Sequence, residues 1–281
     1  MTHTFKILIL AVCCIVISMV PATADELSNY FNAPSSSGTF GQSLTYTGNG
    51  QTFTDGNLQF QFTGLTIIPT CWEGSVQVQC QTGSYNPVSA ATLNVAATST
   101  LNGYNGFDLQ GQVDTVSYCV GEACGDGGGV QVNVEEDINL NYTVSTTGGA
   151  ASITDAHLDV GACASESGGS MTPGGTNCLS QGSLPPNLSV LENFAGTNQT
   201  ISASAPPNIL NAMADFSSPY SSLLVSKDIA LESGACAGCE VGFSDLKQYY
   251  SQVPEPRTYA WILGLGLFGL VQFRRRFATN Q

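Results

Sequence analysis

The chain has 281 residues, 42% of them hydrophobic and only 10% charged, with a formal net charge of −14. Residues 25–253 carry nearly all of that imbalance, with 20 acidic side chains against two lysines, Lys227 and Lys247. So acidic a surface argues against nucleic acid, anionic lipid or acidic polysaccharide as a direct electrostatic partner, leaving divalent-cation bridging open, and the apolar content is far above that of a disordered acidic tail.

The chain opens with Lys6, an apolar run from Ile7 to Val20, and the small residues Ala22-Thr23-Ala24 before Asp25. This order predicts a secretory signal over residues 1–24, read by the Sec translocon and cut by signal peptidase after Ala24. A lipoprotein signal at Leu10-Ala11-Val12-Cys13 is disfavoured. Val12 is bulky where a small residue is needed, and Cys13 sits inside the apolar run.

Beyond Asp25, period-2 alternation is the dominant pattern. Leu58, Phe60 and Phe62 oppose Gln59 and Gln61, and Val76, Val78 and Cys80 oppose Gln77 and Gln79. Val116, Tyr118 and Val120 repeat the pattern. The longest run is Val130, Val132, Val134, Ile138, Leu140, Tyr142 and Val144, with Glu136 standing where an apolar residue is expected. That interruption suggests a bulge, a bend or an exposed stretch. Gly125–Gly129 and Gly168–Gly175 look like loops, and Pro185-Pro186 and Pro206-Pro207 punctuate the later part. Short helices are expected at Pro207–Ala214 and Ser244–Tyr250. Leu223, Val225, Ile229 and Leu231 fit late strands. The pattern predicts an all-β, antiparallel β-sandwich of about 10–14 strands over residues 25–252, with one wet face per sheet.

Eight cysteines remain after the signal: Cys71, Cys80, Cys119, Cys124, Cys163, Cys178, Cys236 and Cys239. An even number in an exported chain predicts disulfides, and sequential pairing closes the shortest loops: 71–80, 119–124, 163–178 and 236–239. Cys236-Ala237-Gly238-Cys239 also has the spacing of a redox pair or half a zinc site. It lacks the strand-to-helix context that activates a thiolate, so a structural bridge is the expected state.

Candidate chemistry is sparse. His157 is the only histidine after the signal, and it would share a strand face with Asp155 and Asp159. A solvated polar face is the plain reading. Asp126, Glu135 and Asp137 are weak Ca²⁺ candidates, being hard oxygen ligands beside a glycine loop without EF-hand spacing. Trp72 stands beside Cys71, where packing on a disulfide is expected. Tyr104, Tyr249 and Tyr250 are candidates for an aromatic sugar platform. No Gly-x-Ser-x-Gly or His-Glu-x-x-His motif occurs, and no catalytic residue is nominated.

The chain closes with Val253-Pro254-Glu255-Pro256-Arg257, an apolar stretch over 258–273, and Arg274-Arg275-Arg276. The 16 apolar residues form a helix of roughly 24 Å, slightly short of a hydrocarbon core of about 30 Å, and predict a single transmembrane helix with the arginines on the cytoplasmic side. Residues 253–281 resemble the PEP-CTERM sorting tail. The resemblance implies export by a Gram-negative bacterium that makes exopolysaccharide, and processing by an exosortase close to residues 253–257. The chain is then anchored in the membrane until processed, and afterwards lies at the cell surface or outside the cell. The expected function is non-enzymatic, as a structural protein of the cell envelope or an exopolysaccharide-associated matrix, with no cofactor. The alternative is a carbohydrate-binding or Ca²⁺-bridged adhesive module, and a secreted hydrolase ranks third.

Overall fold

The alternation resolves into strands that bury every second side chain. A computed structural model describes residues 24–35, 43–80, 90, 92–98, 104–116, 118–120, 130–147, 151–165, 187–205, 209–234 and 240–254. In chain order these hold β1 (Asp25–Glu26), a 3₁₀ turn (Leu27–Tyr30), β2 (Leu44–Thr47), β3 (Phe53–Asp55), β4 (Leu58–Glu73), β5 (Val76–Val78), β6 (Asn94–Ala97) and β7 (Asn105–Val116). They continue with β8 (Tyr118–Val120), β9 (Val130–Thr146), β10 (Ala151–Ser165), β11 (Asn187–Ala195), β12 (Thr200–Ala205), β13 (Asn211–Tyr220), β14 (Ser222–Glu232) and β15 (Glu240–Pro254).

Two antiparallel sheets result. One has six strands in the order β1-β6-β7-β15-β10-β13. The other runs β12-β11-β14-β9-β4-β2, with β3 and β5 paired to β4 and β8 paired to β9. Their inner faces share one apolar core. Phe60 and Phe62 of β4 and Tyr142 of β9 come from one sheet and meet Phe107 of β7 from the other. Phe107 packs edge-on against all three, with ring centroids 5.3, 5.6 and 5.2 Å away. This is the favoured geometry for aromatic quadrupoles.

The all-β, two-sheet expectation holds, with corrections of detail. Fifteen strands lie among the described residues, one more than the upper expectation. No helix forms in the described parts of Pro207–Ala214 or Ser244–Tyr250. Asn211–Ala214 belong to β13, and Ser244–Tyr250 lie inside β15, which is paired to β10 on one side and β7 on the other. In β15, Leu246 and Tyr250 are spaced four apart like helical neighbours. The residue between them on the buried face is the polar Gln248, which hides the period of two.

Glu136 causes no bulge, bend or exposed stretch. β9 alternates without interruption, and Glu136 is fully buried in register opposite Pro69 and Leu231. The bulge against β9 lies instead in β4, between Phe62 and Gly64. The run Val116–Val120 is not one strand either. Val116 closes β7 in the six-stranded sheet, and β8 crosses to β9 in the other. The expected transmembrane helix over 258–273 lies outside the described residues, among which no helix is long and apolar enough to cross a membrane.

Candidate functional site: a groove on the outer face of the six-stranded sheet

The outward residues of five neighbouring strands form a grid fixed by strand register. One row runs Asn211 (β13), Asp159 (β10), Lys247 (β15), Asp108 (β7) and Ala96 (β6). The next runs Met213, His157, Tyr249 and Gly106. Because successive side chains on a strand point to opposite faces, all the side chains in these rows project away from the core. Between them lies a cavity of about 850 Å³, floored by the sheet and lined also by Thr98, Tyr104 and Gln110.

Gly106 makes the close packing beneath this grid feasible. A Cβ there would lie 1.7 Å from the backbone oxygen of Gln248. Its amide donates to Asp55 Oδ2 (2.9 Å), which also accepts from Thr98 Oγ1 (3.1 Å). Asp55 belongs to β3 of the opposite sheet, so one buried carboxylate ties the end of the groove to the rest of the sandwich. Burial pushes its carboxyl above the usual range despite those two donors.

The groove's polar groups fall into two sets. His157 Nε2 lies 2.8 Å from Asp155 Oδ1, and the Tyr104 ring stands edge-on to the imidazole at 5.0 Å. Lys247 Nζ donates to Asp245 Oδ2 at 2.6 Å, and that contact holds its ammonium above its usual pKa. Gly161 lies opposite Asp245, where a Cβ would come within 2.1 Å of the carboxylate. The groove's one lysine is therefore already paired, which leaves little to attract an anionic ligand.

Asp108 is different. It is only 7% exposed, its Oδ2 accepts from Gln110 Nε2 (2.8 Å), and its Oδ1 has no hydrogen-bond partner among the described residues. Burial pushes its carboxyl up, against the pull of the Gln110 hydrogen bond and the Lys247 charge. A buried acceptor without a donor is costly, and the residue that carries it borders the cavity. With acceptors, amides and aromatic faces but no free cation among the described lining residues, the groove suits a neutral ligand rich in hydroxyl donors.

The structure gathers some of the sequence candidates here and disperses others. His157, Asp155, Asp159, Tyr104 and Tyr249 meet in or beside the groove. Tyr250 does not, being fully buried in the core. Glu135 and Asp137 project from β9 on the opposite sheet, where burial, Asp228 and Glu135 push the Asp137 carboxyl up. Asp126 lies outside the described residues, among which no three metal-ligating side chains cluster. Trp72 does not share the small cluster of Cys71, Cys80, Val132 and Val134. It comes next after Cys71 on the strand and so faces the other way, and its Nε1 donates to Glu135 Oε2 at 3.0 Å.

Cys71 and Cys80 are disulfide-bonded, as sequential pairing requires. Cys119 lies in β8 and Cys163 in β10. Their expected partners Cys124 and Cys178, and the pair Cys236 and Cys239, lie outside the described residues. Ala24 is exposed immediately before β1, Val253 is exposed, and Pro254 ends β15. Glu255, Pro256, Arg274, Arg275 and Arg276 lie outside the described residues. Sequence reasoning missed Asp108 and Gln110. Their signal was the alternation Phe107-Asp108-Leu109-Gln110, which marks a strand with one polar face.

One end of the groove strand β15 runs into the tail. Residues 252–276 match the PEP-CTERM protein-sorting motif. No curated protein matches the chain. The PEP-CTERM match supports export, a tail held in the membrane before sorting to the cell surface, and an exosortase as processing partner. It begins within β15, so the sorting signal adjoins the sandwich with no intervening spacer.

Proposed function

We propose that this is a non-enzymatic protein of the cell surface or extracellular matrix, delivered by the PEP-CTERM route and associated with exopolysaccharide. The observation that carries this reading is the PEP-CTERM match joined directly to the last strand of an acidic β-sandwich. The test compares intact masses of the protein from an exosortase-positive strain and its exosortase deletion, together with the fraction found in the matrix. Loss of the tail and matrix location only when exosortase is present supports the reading. An identical C-terminus and location in both strains sinks it.

The groove favours a second, compatible reading, in which the sandwich holds a neutral carbohydrate at Asp108 with Tyr104 and Tyr249 as apolar surfaces. Calorimetric titration with neutral exopolysaccharide fragments tests it. Asp108→Asn should weaken binding about tenfold or more, as expected for losing a hydrogen bond to a charged group. Equal affinity in the variant, or no binding to any neutral fragment, refutes this second reading.

A further inference from the structure

One of the two lysines of residues 25–253 is spent inside the core. Lys227 on β14 lies beside its cross-strand neighbour Glu192 on β11, and Gln248 reaches them from β15 in the opposite sheet. All three are 0% exposed. Lys227 Nζ donates to Gln248 Oε1 at 2.8 Å and lies 3.3 Å from Glu192 Oε2. The Tyr142 hydroxyl donates to Glu192 Oε1 at 2.6 Å and lies 2.8 Å from the Tyr250 hydroxyl.

As a plain ion pair this cluster is poorly satisfied. Glu192 Oε2 is close to the lysine but outside hydrogen-bond geometry. Gln248 Nε2 makes no hydrogen bond of good geometry among the described residues, and its one polar contact is a loose one to the Tyr250 hydroxyl. Burying two charges beside a poorly paired amide donor is expensive in a core lined largely with Phe, Tyr, Leu and Val.

We propose that Lys227 and Gln248 condense into an intramolecular γ-glutamyl-lysine amide, with Glu192 carrying the protons. Nζ at 2.8 Å from Oε1, plus a C=O bond of about 1.23 Å, places Cδ within about 4.0 Å of the amine, a small movement from attack distance. Burial lowers the Lys227 pKa against the opposing pull of Glu192, which brings the neutral amine within reach. Glu192 accepts one proton from the ammonium, and the freed Nζ lone pair attacks Cδ. As the Cδ–Nε2 bond breaks, Glu192 gives its proton to Nε2, which leaves as ammonia. Glu192 then takes the second proton from Nζ.

The balance closes without oxidant, reductant or water. Ammonium, carboxylate and primary amide become a secondary amide, a neutral acid and ammonia. The reaction removes both core charges and the poorly paired Nε2 together. Tyr142 orients the carboxylate through its hydrogen bond and is a positioning residue. The new bond would join the two sheets covalently and pin the strand that carries the sorting tail.

The test uses mature protein from expression of the full chain in an exporting Gram-negative host, reduced and denatured before intact-mass measurement. The expected mass is lower than the sequence mass by one ammonia, about 17 Da, and digestion should yield a branched peptide joining the Lys227 and Gln248 segments. Glu192→Gln should restore the full mass, and Tyr142→Phe should slow ammonia loss in newly folded protein. Full mass with a reactive Lys227 amine in aged wild-type protein overturns the proposal, whether or not either variant folds. So does loss of water with a Lys227–Glu192 link. The outcome is independent of the groove and of the sorting test.

Discussion

Asp108→Asn separates a residue kept for stability from one kept for a ligand. In the folded protein, burial raises the Asp108 carboxyl pKa, with Asp245 and Asp159 adding to the rise, while Gln110 and Lys247 oppose it. The native state therefore holds this proton more tightly than the unfolded chain, whose carboxyl titrates near about 3.9. The group's contribution to stability is fully present below that pH and is lost as pH rises through the folded pKa. Once ionised the side chain is a burden, because its charge is buried and Oδ1 finds no hydrogen-bond donor among the described residues. Such an atom costs about 1–3 kcal/mol. An asparagine oxygen can still accept from Gln110, and the lost attraction to Lys247 is small because that lysine is half-exposed and already paired to Asp245. The expected result is a gain of about 1 kcal/mol at pH 7.5, which for a domain of this size raises Tm by about 2–4 °C. The gain should shrink towards zero near pH 4. Urea unfolding of both proteins at the two pH values measures it. Destabilisation at pH 7.5, or a shift equal at both values, refutes the reasoning.

Phe60→Ala should cost about 3–5 kcal/mol in urea unfolding, because its buried ring touches those of Phe53, Phe107, Tyr142 and Tyr250 and the two sheets cannot close on the space it leaves. A loss below about 1 kcal/mol would mean that the sheets repack freely. Replacing Cys71 and Cys80 together by alanine removes a bridge with a sequence separation of 9. Loop entropy puts that loss at roughly 2.6 kcal/mol, and hydrogen exchange should show it first at Val76 and Val78 of the β4–β5 hairpin. The mature C-terminus should lie at or beyond Pro254, since Ser251, Gln252, Val253 and Pro254 are all in register with β10. Mass spectrometry finding an end before Ser251 would contradict that pairing.

The strands with unmixed apolar faces were legible from sequence. Leu58, Phe60 and Phe62 of β4 and the Val130–Val144 run of β9 sit in the structure as their alternation indicates. The pattern misled where a polar residue occupies a buried position. Glu136 looked like a distortion of β9, and Gln248 made β15 resemble a helix. Alternation tells which face a side chain takes, but not what it meets there. Lys227 carried the same kind of signal, since it keeps the parity of the buried Val225 and Ile229. Its partners were not readable, because Glu192 comes from a neighbouring strand and Gln248 from the other sheet. The groove was half legible. His157 with its two aspartates stood out locally. Asp108 joins them only because β15 is inserted between β10 and β7, and no local pattern encodes that strand order.

β15 links all three features of the molecule. Its outward residues Lys247 and Tyr249 line the groove, with Asp245 paired to Lys247, and its inward residues Leu246, Gln248 and Tyr250 supply the core. Its last residues begin the PEP-CTERM match. It is also an inner strand, hydrogen-bonded along most of its length to both β10 and β7. A load applied through the tail therefore enters the middle of a sheet. To free β15, that load must break two antiparallel ladders rather than peel one edge. The same placement puts the groove in the most constrained part of the six-stranded sheet. Before sorting, a ligand contacting Lys247 and Tyr249 would be held by the strand that carries the tail, so a pull between ligand and membrane passes through one continuous segment. An amide at Gln248 would fasten that segment to β14 in the opposite sheet and spread the load over both.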